Sequence, residues 1–237
     1  MRRSTLVARN ALRPPLRFAL TAGAVAILVV VVVVLVAILD ALEADAGPER
    51  GATRIVIQHA TGLASFLPRS MAAEVARMPG VVAAAAEIYF AGTYIDTRPE
   101  HIFGQIATDP TAWSTVFPEY RVDAAQLAEW RRRPDSLIAG RALVDRYGWS
   151  LGDRVRIRGT YIPADLDLTL VGIYTARNES NVYFHARALD DTWIGRSGQA
   201  GHVVLRASDP RYVGELTARI EARYENSRVP VVAMPER

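Results

Sequence analysis

The 237-residue sequence contains no cysteine and no lysine. Without cysteine there is no disulfide framework, no thiol nucleophile and no thiolate metal site. Without lysine there is no phosphate-binding P-loop and no Schiff-base chemistry. HExxH is absent, and GxSxG and GxGxxG do not occur in the Gly-rich stretch at 195–201 (GRSGQAG). Glycine (16) and proline (13) are too few for a collagenous or low-complexity chain. The one long unbroken feature is apolar.

Charge is unevenly placed. Residues 1–17 hold five arginines (Arg2, Arg3, Arg9, Arg13, Arg17) and no acid. Residues 43–237 hold 23 arginines and 24 acids. The formal net charge of +3 therefore comes from a short tail, and the large segment is nearly neutral. This excludes a nucleic-acid-binding domain, whose folded part should be basic. It fits a tail lying against a membrane surface.

Residues 18–39 contain no charged residue (FALTAGAVAILVVVVVVLVAIL). As a helix they would extend about 33 Å, enough for a hydrocarbon core of about 30 Å. Valine favours strands in water, but in lipid the backbone must satisfy itself, so the segment is predicted to be a helix over 18–42. Five arginines precede it, and Asp40, Glu43 and Asp45 lie at its far end. The positive-inside rule then places the N-terminus in the cytoplasm and residues 43–237 outside. A cleaved signal peptide at Ala44-Asp45-Ala46 is the rival, disfavoured by the length of the apolar run. Residues 2–12 are expected to form an interfacial helix with Leu6 and Leu12 on one side, ended by Pro14-Pro15. Ala19 and Gly23, like Ala22 and Ala26, stand four apart and permit close helix packing.

After a polar hinge at 47–51, residues 54–59 (RIVIQH) alternate as a strand. A helix is predicted over 69–78, with Met71, Val75 and Met78 on one stripe and Pro79-Gly80 as its stop. A strand or strand pair follows over 81–95. The end of the chain has the same order. Residues 202–207 read as a strand, Asp209-Pro210 as an N-cap and first turn, and the helix runs to 225. Its core stripe is Val213, Leu216, Ile220 and Tyr224, and 229–234 is a closing strand. The predicted fold class is α+β: a split ferredoxin-like β-α-β layer (53–97 and 201–237) with a small β-rich insert at 98–200. Within the insert a helix is predicted over 123–132. Leu143, Val144 and Tyr147 form another helix face closed by Gly148. Gly152-Asp153 is a turn with positive φ at Gly152, and a strand follows it. In 166–174, Leu166, Leu168 and Leu170 should point inward and Asp165, Asp167 and Thr169 outward. A strand at 182–185, a helix at 186–193 and a loop at 195–201 complete the insert.

The stretch ARNALRPPLRFALTAGAVAIL at 8–28 resembles the opening of MacB/FtsX-like ABC transporter permeases. Tyr147-Gly148-Trp149-Ser150-Leu151-Gly152-Asp153-Arg154-Val155 is similar to a turn and strand in that family's external domain. LTLVGIY at 168–174 and VYFHARALDD at 182–191 are similar to its following strand and to its next strand and helix. The order and spacing of these blocks carry the resemblance, which covers nearly the whole chain. It implies a porter-like split layer and a sabre-like insert on the periplasmic side of the cell (inner) membrane. It also implies a cytoplasmic ABC ATPase subunit as partner, together with the bilayer and the remaining permease helices or a second permease copy. The family's permeases continue into three further membrane helices, so the sequence is expected to be a fragment, a split permease or a truncated one. The implied function is a permease subunit whose external domain moves in response to ATP hydrolysis on the ATPase. The cargo would be a lipoprotein, peptide or drug. The alternative is a stand-alone membrane-anchored binding or signalling module.

No catalytic, cofactor-binding or metal constellation emerges, and the chain is not expected to be an enzyme. His59, His101, His185 and His202 show no paired ligand spacing and read as strand or surface histidines. Asp165 and Asp167 share a strand face, a pattern that suits Ca²⁺ but more often a solvated face. Asp190 and Asp191 are adjacent and do not face one another. Asn178-Glu179-Ser180 is a formal glycosylation sequon. Arg131, Arg132 and Arg133 read as a solvated helix end.

Overall fold

A computed structural model describes residues 15–45, 53–62, 65–190, 192–193, 195 and 197–236. The chain forms two compact units, residues 1–49 and residues 50–236.

In the first unit, helix α1 (Pro15–Asp45) has 31 residues. Its segment Ala19–Ile38 is long and apolar enough to cross a membrane, with a mean hydropathy of 3.1. Every side chain in that segment is exposed. A helix apolar all round suits lipid rather than water. It extends past the predicted 18–42 at both ends and starts at Pro15, where a missing N–H costs nothing. The expected interfacial helix at 2–12 lies outside the described residues.

The second unit begins with β1 (Arg54–His59), β2 (Leu67–Pro68), α2 (Ser70–Val75) and β3 (Val81–Tyr89). Then come β4 (Gly104–Thr108), α3 (Pro110–Val116), β5 (Arg121–Val122), α4 (Ala124–Arg132), β6 (Ser136–Gly140) and α5 (Arg141–Tyr147). Next are β7 (Arg154–Ile157), β8 (Leu166–Thr175), β9 (Asn181–His185), α6 (Arg187–Asp190) and β10 (Gln199–Ala200). The chain closes with β11 (His202–Ala207), α7 (Val213–Tyr224) and β12 (Val231–Pro235).

Four strands run in the order β12-β1-β11-β3, all antiparallel. With α2 after β1 and α7 after β11, this is the ferredoxin-like arrangement. The inward residues of the strands (Ile55, Ile57, Ala84, Ala86, Val203, Leu205) meet Met71 and Val75 of α2 and Leu216 and Ile220 of α7. Asp209 accepts the Arg211 N–H at 2.8 Å, and a 3₁₀ turn at Pro210–Tyr212 leads into α7.

The sheet does not end at β3. β4 joins it through Ile88↔Ala107 and Tyr89↔Ile106, and the order continues β4-β9-β6-β8-β5, with β7 also on β8. The insert is β-rich, as the sequence predicts, and is continuous with the split layer. It extends the same sheet, and it includes two parallel pairings, β4 with β9 and β6 with β8. Parallel neighbours need crossovers, and α3, α4 and α5 lie in those connections. One face of the inserted strands packs on Trp113, Val116 and Trp130 of α3 and α4. The other packs on Leu143 and Val144 of α5 and on Trp149.

Several local expectations change. β3 stops at Tyr89 rather than 95, because Ala91 and Ile95 take positive φ (50° and 61°) and turn the chain. Thr93 is then held in a two-way backbone bridge with Arg158. The helix expected at 186–193 is confined to Arg187–Asp190, and Trp193 beyond it sets its ring edge-on to Phe66 at 5.0 Å. The loop expected at 195–201 includes β10, which pairs with β2. Thr169 is buried rather than outward, its hydroxyl 3.0 Å from Arg133.

Candidate functional site

The residues singled out by sequence lie far apart in role. His59 accepts the Thr61 N–H at 3.1 Å through Nδ1. His101 sets Nδ1 2.5 Å from Asp96. Asp96 also takes the backbone and side chain of Arg98. Against a desolvation effect that would raise it, these bonds bring the Asp96 pKa down to about 2. His185 is buried, and its Nε2–H donates to the Trp130 carbonyl at 2.7 Å. Burial lowers its pKa despite that bond, because desolvation disfavours the charged ring.

His202 has a partner that sequence reading missed. It stands opposite Glu87 in the β11–β3 register, both buried, with Nε2 3.2 Å from Glu87 Oε2. Tyr89 stacks on the ring at 4.9 Å. The signal was present in the alternation of β3, where Glu87 follows Ala85 on the α3 side, but the partner strand lies 115 residues away.

Asp165 and Asp167 do not converge. Asp165 accepts the Gly159 N–H at 3.1 Å, while Asp167 binds Arg154 at 2.8 Å and faces Arg156 at 3.4 Å. The hydrogen bond to Arg154 is the main reason its pKa falls. Both line an open cleft of about 500 Å³ that also includes Asp135 and Asp190. Asp135 is held by Arg133 at 2.9 Å. Asp190 is gripped by both terminal nitrogens of Arg69 at 2.8 Å, which lowers its pKa. Asp191 lies outside the described residues. Among the described residues no three His, Cys, Asp or Glu side chains gather as metal ligands.

The sequon residues are structural in this fold. Asn178 accepts the Ser180 N–H at 3.0 Å. Glu179 takes the Ala142 N–H in the first turn of α5 and the Ala176 N–H, both at 3.1 Å. Its backbone passes so close that a Cβ on Gly140 would lie 2.1 Å from its carbonyl oxygen. Arg131 donates to Ser114 at 2.8 Å and Arg132 binds Glu129. The arginine run therefore ties α4 to α3 and to the β6 entry.

The 147–155 block is one stitched corner. Gly148 closes α5 in the left-handed region, and Trp149 stacks on Tyr147 at 4.9 Å. The Trp149 indole donates to the Tyr94 hydroxyl at 2.9 Å. Gly152 has φ +96°, as the sequence predicts. Asp153 accepts the Ser150 N–H at 2.8 Å, and Gly152 N and Asp153 O bond Leu170 of β8. The turn thus sets the register of the β7–β8 hairpin.

The family model described as the MacB-like periplasmic core domain matches residues 18–223. This chain belongs to that family. The MacB-like match takes in both most of α1 and nearly all of the folded unit. Solved structures agree on the fold. The periplasmic region of MacB from Actinobacillus actinomycetemcomitans matches with a TM-score of 0.54 at 8% identity, covering 78% of this chain and 89% of that one. The extracellular domain of the noncanonic ABC-type transporter YknZ from Gram-positive bacteria matches with a TM-score of 0.55 at 12% identity, covering 76% and 99%. No curated protein matches the sequence.

Proposed function

We propose that the chain is a permease component of an ABC-type transporter. The family match across 18–223 carries this reading, because it joins a candidate membrane span to a MacB-like domain in one continuous block. The likeness of the fold to YknZ supports it. In this reading α1 crosses the inner membrane with its arginine-rich N-terminus in the cytoplasm. The unit at 50–236 stands outside and moves in response to ATP hydrolysis by a separate cytoplasmic ATPase. The chain performs no catalysis itself, and the cargo is a lipoprotein, peptide or drug.

The test is purification of the full chain from its native membrane after mild crosslinking. A Walker-motif ATPase should co-purify. A reporter active only outside the cytoplasm, fused after Arg237, should be active. Isolation without any ATPase would favour the stand-alone anchored module, and a reporter active only in the cytoplasm would reverse the topology.

A further inference from the structure

Arg54 opens β1, nine residues after the end of α1. It is only 6% exposed. Its Nε bonds the carboxylate of Glu236, just past β12, and its Nη1 bonds Glu119 at 2.7 Å. Glu119 lies in the insert, between α3 and β5. The guanidinium also sits 5.1 Å from the Phe117 ring centroid. Burial acts to lower the Arg54 pKa, but the two carboxylates outweigh it and the net shift is upward. The backbone repeats the link, since Glu236 N–H donates to the Arg54 carbonyl at 3.0 Å. Next to it in register, Arg206 of β11 donates to the Thr115 carbonyl of α3 at 3.1 Å.

We infer that Arg54 is a positioning residue that makes the two ends of the domain and the α3–β5 corner of the insert move as one body. The arginine is buried while both carboxylates stay partly exposed, so the pairs add little net stability, but a buried guanidinium is demanding about arrangement. This one joins three segments that are distant in sequence: the start of β1, the end of β12 and the insert. The planar fork presents separate nitrogens to the two carboxylates, which a lysine ammonium does not reproduce. A displacement of β1 at its α1-connected end is thereby passed to Glu119 and Glu236 together. The role in transport rests on the permease reading; the coupling itself does not.

The test is hydrogen exchange by mass spectrometry on the full chain in detergent micelles. Arg54→Met and Arg54→Lys should each accelerate exchange at least fivefold in both 114–122 and 231–236, leaving β6 unchanged. Glu119→Gln should accelerate 114–122 alone. Adding it to Arg54→Met should change 114–122 no further, because the two act through one interaction. The inference is overturned if Arg54→Lys exchanges like the parent, since charge alone would then suffice. It is also overturned if the Met variant loosens only one segment or the whole domain evenly. If Arg54→Met fails to fold, Arg54→Lys and Glu119→Gln still decide. The measurement needs neither ATPase nor cargo, so its failure leaves the permease reading untouched.

Discussion

Between the ferredoxin-like strands and α2 and α7 the core is aliphatic, with Ile55, Ile57, Val75, Val203, Leu205, Leu216 and Ile220, and with alanine at 84 and 86. Between the inserted strands and α3 and α4 it is aromatic, with Trp113, Phe117, Trp130, Tyr174 and Tyr183. The helices differ in the same way. α7 has 12 residues and offers a full stripe of four buried side chains, whereas α3 has seven residues and α4 nine. A short helix has few inward positions, so each must bury more area, and a ring buries about 150–250 Å². Trp113 alone lies within 6.3 Å of five rings: Phe117, Tyr120, Trp130, Tyr174 and Tyr183. On the other side, small alanines on β3 let Met71 and Val75 of α2 sit close to the sheet. One sheet therefore carries two packing solutions; its strands join through the short β3–β4 pairing, and the aromatic cluster reaches across that boundary to Ala85 of β3 and Val204 of β11.

The largest expected effect tests whether the aromatic half is the more demanding. Trp113→Ala should cost about 3–5 kcal/mol, since the residue is fully buried and its ring neighbours cannot collapse into the space. Leu216→Ala in the aliphatic half should cost about 2–4 kcal/mol. Urea unfolding of the full chain in micelles, followed by far- and near-ultraviolet circular dichroism, measures both. Near-ultraviolet signal reports chiefly the insert, where all four tryptophans are. If the halves form one cooperative unit, Leu216→Ala shifts both signals together. If only the far-ultraviolet midpoint moves, the halves unfold separately.

The hairpin corner gives the next effect. Gly152→Val should cost about 1–3 kcal/mol, entirely from backbone strain at φ +96°, because a Cβ there meets no atom within 4 Å. An unchanged urea midpoint would contradict the assigned turn. Asp153→Ala should cost less, about 1 kcal/mol, since one local hydrogen bond to Ser150 is lost.

The smallest effect concerns the Arg69–Asp190 pair, which joins the entry of α2 to α6. Hydrogen bonding to Arg69 lowers the Asp190 pKa in the folded state below its unfolded value of about 3.9. The stabilisation is therefore present above about pH 4 and lost as pH falls through the lower, folded pKa. Asp190→Asn should reduce stability by about 1 kcal/mol or less at pH 6. The gap between parent and variant midpoints should close toward pH 2. A gap that widens on acidification would mean that the pair is not the relevant contact.

Much of the aliphatic half was legible because its signals are local. The stripe Val213, Leu216, Ile220 and Tyr224 is buried as its spacing predicts, and Asp209-Pro210 starts the turn before it. Gly152 announced a positive φ because the chain must reverse between α5 and β7. The insert was less legible. α3 begins at Asp109-Pro110, a recognisable cap, but its seven residues are too few to show a period. β2, β5 and β10 have two residues each and exist only through their partners. The alternation of β3 marks Glu87 as inward but does not name His202 as its partner, and Arg54, Glu119 and Glu236 are brought together from three segments distant in sequence.

The sequence by itself determined the membrane-length helix, the charge asymmetry around it, the strand and helix periodicities of the split layer, and the family. These depend on composition and on neighbours a few residues apart. Only the tertiary structure decided that the insert extends the same sheet, with two parallel pairings inside it. It alone decided which acids are taken by arginines and which histidine is buried against a glutamate. Those outcomes depend on pairings between segments separated by tens to more than a hundred residues, and no local preference encodes a register across that distance.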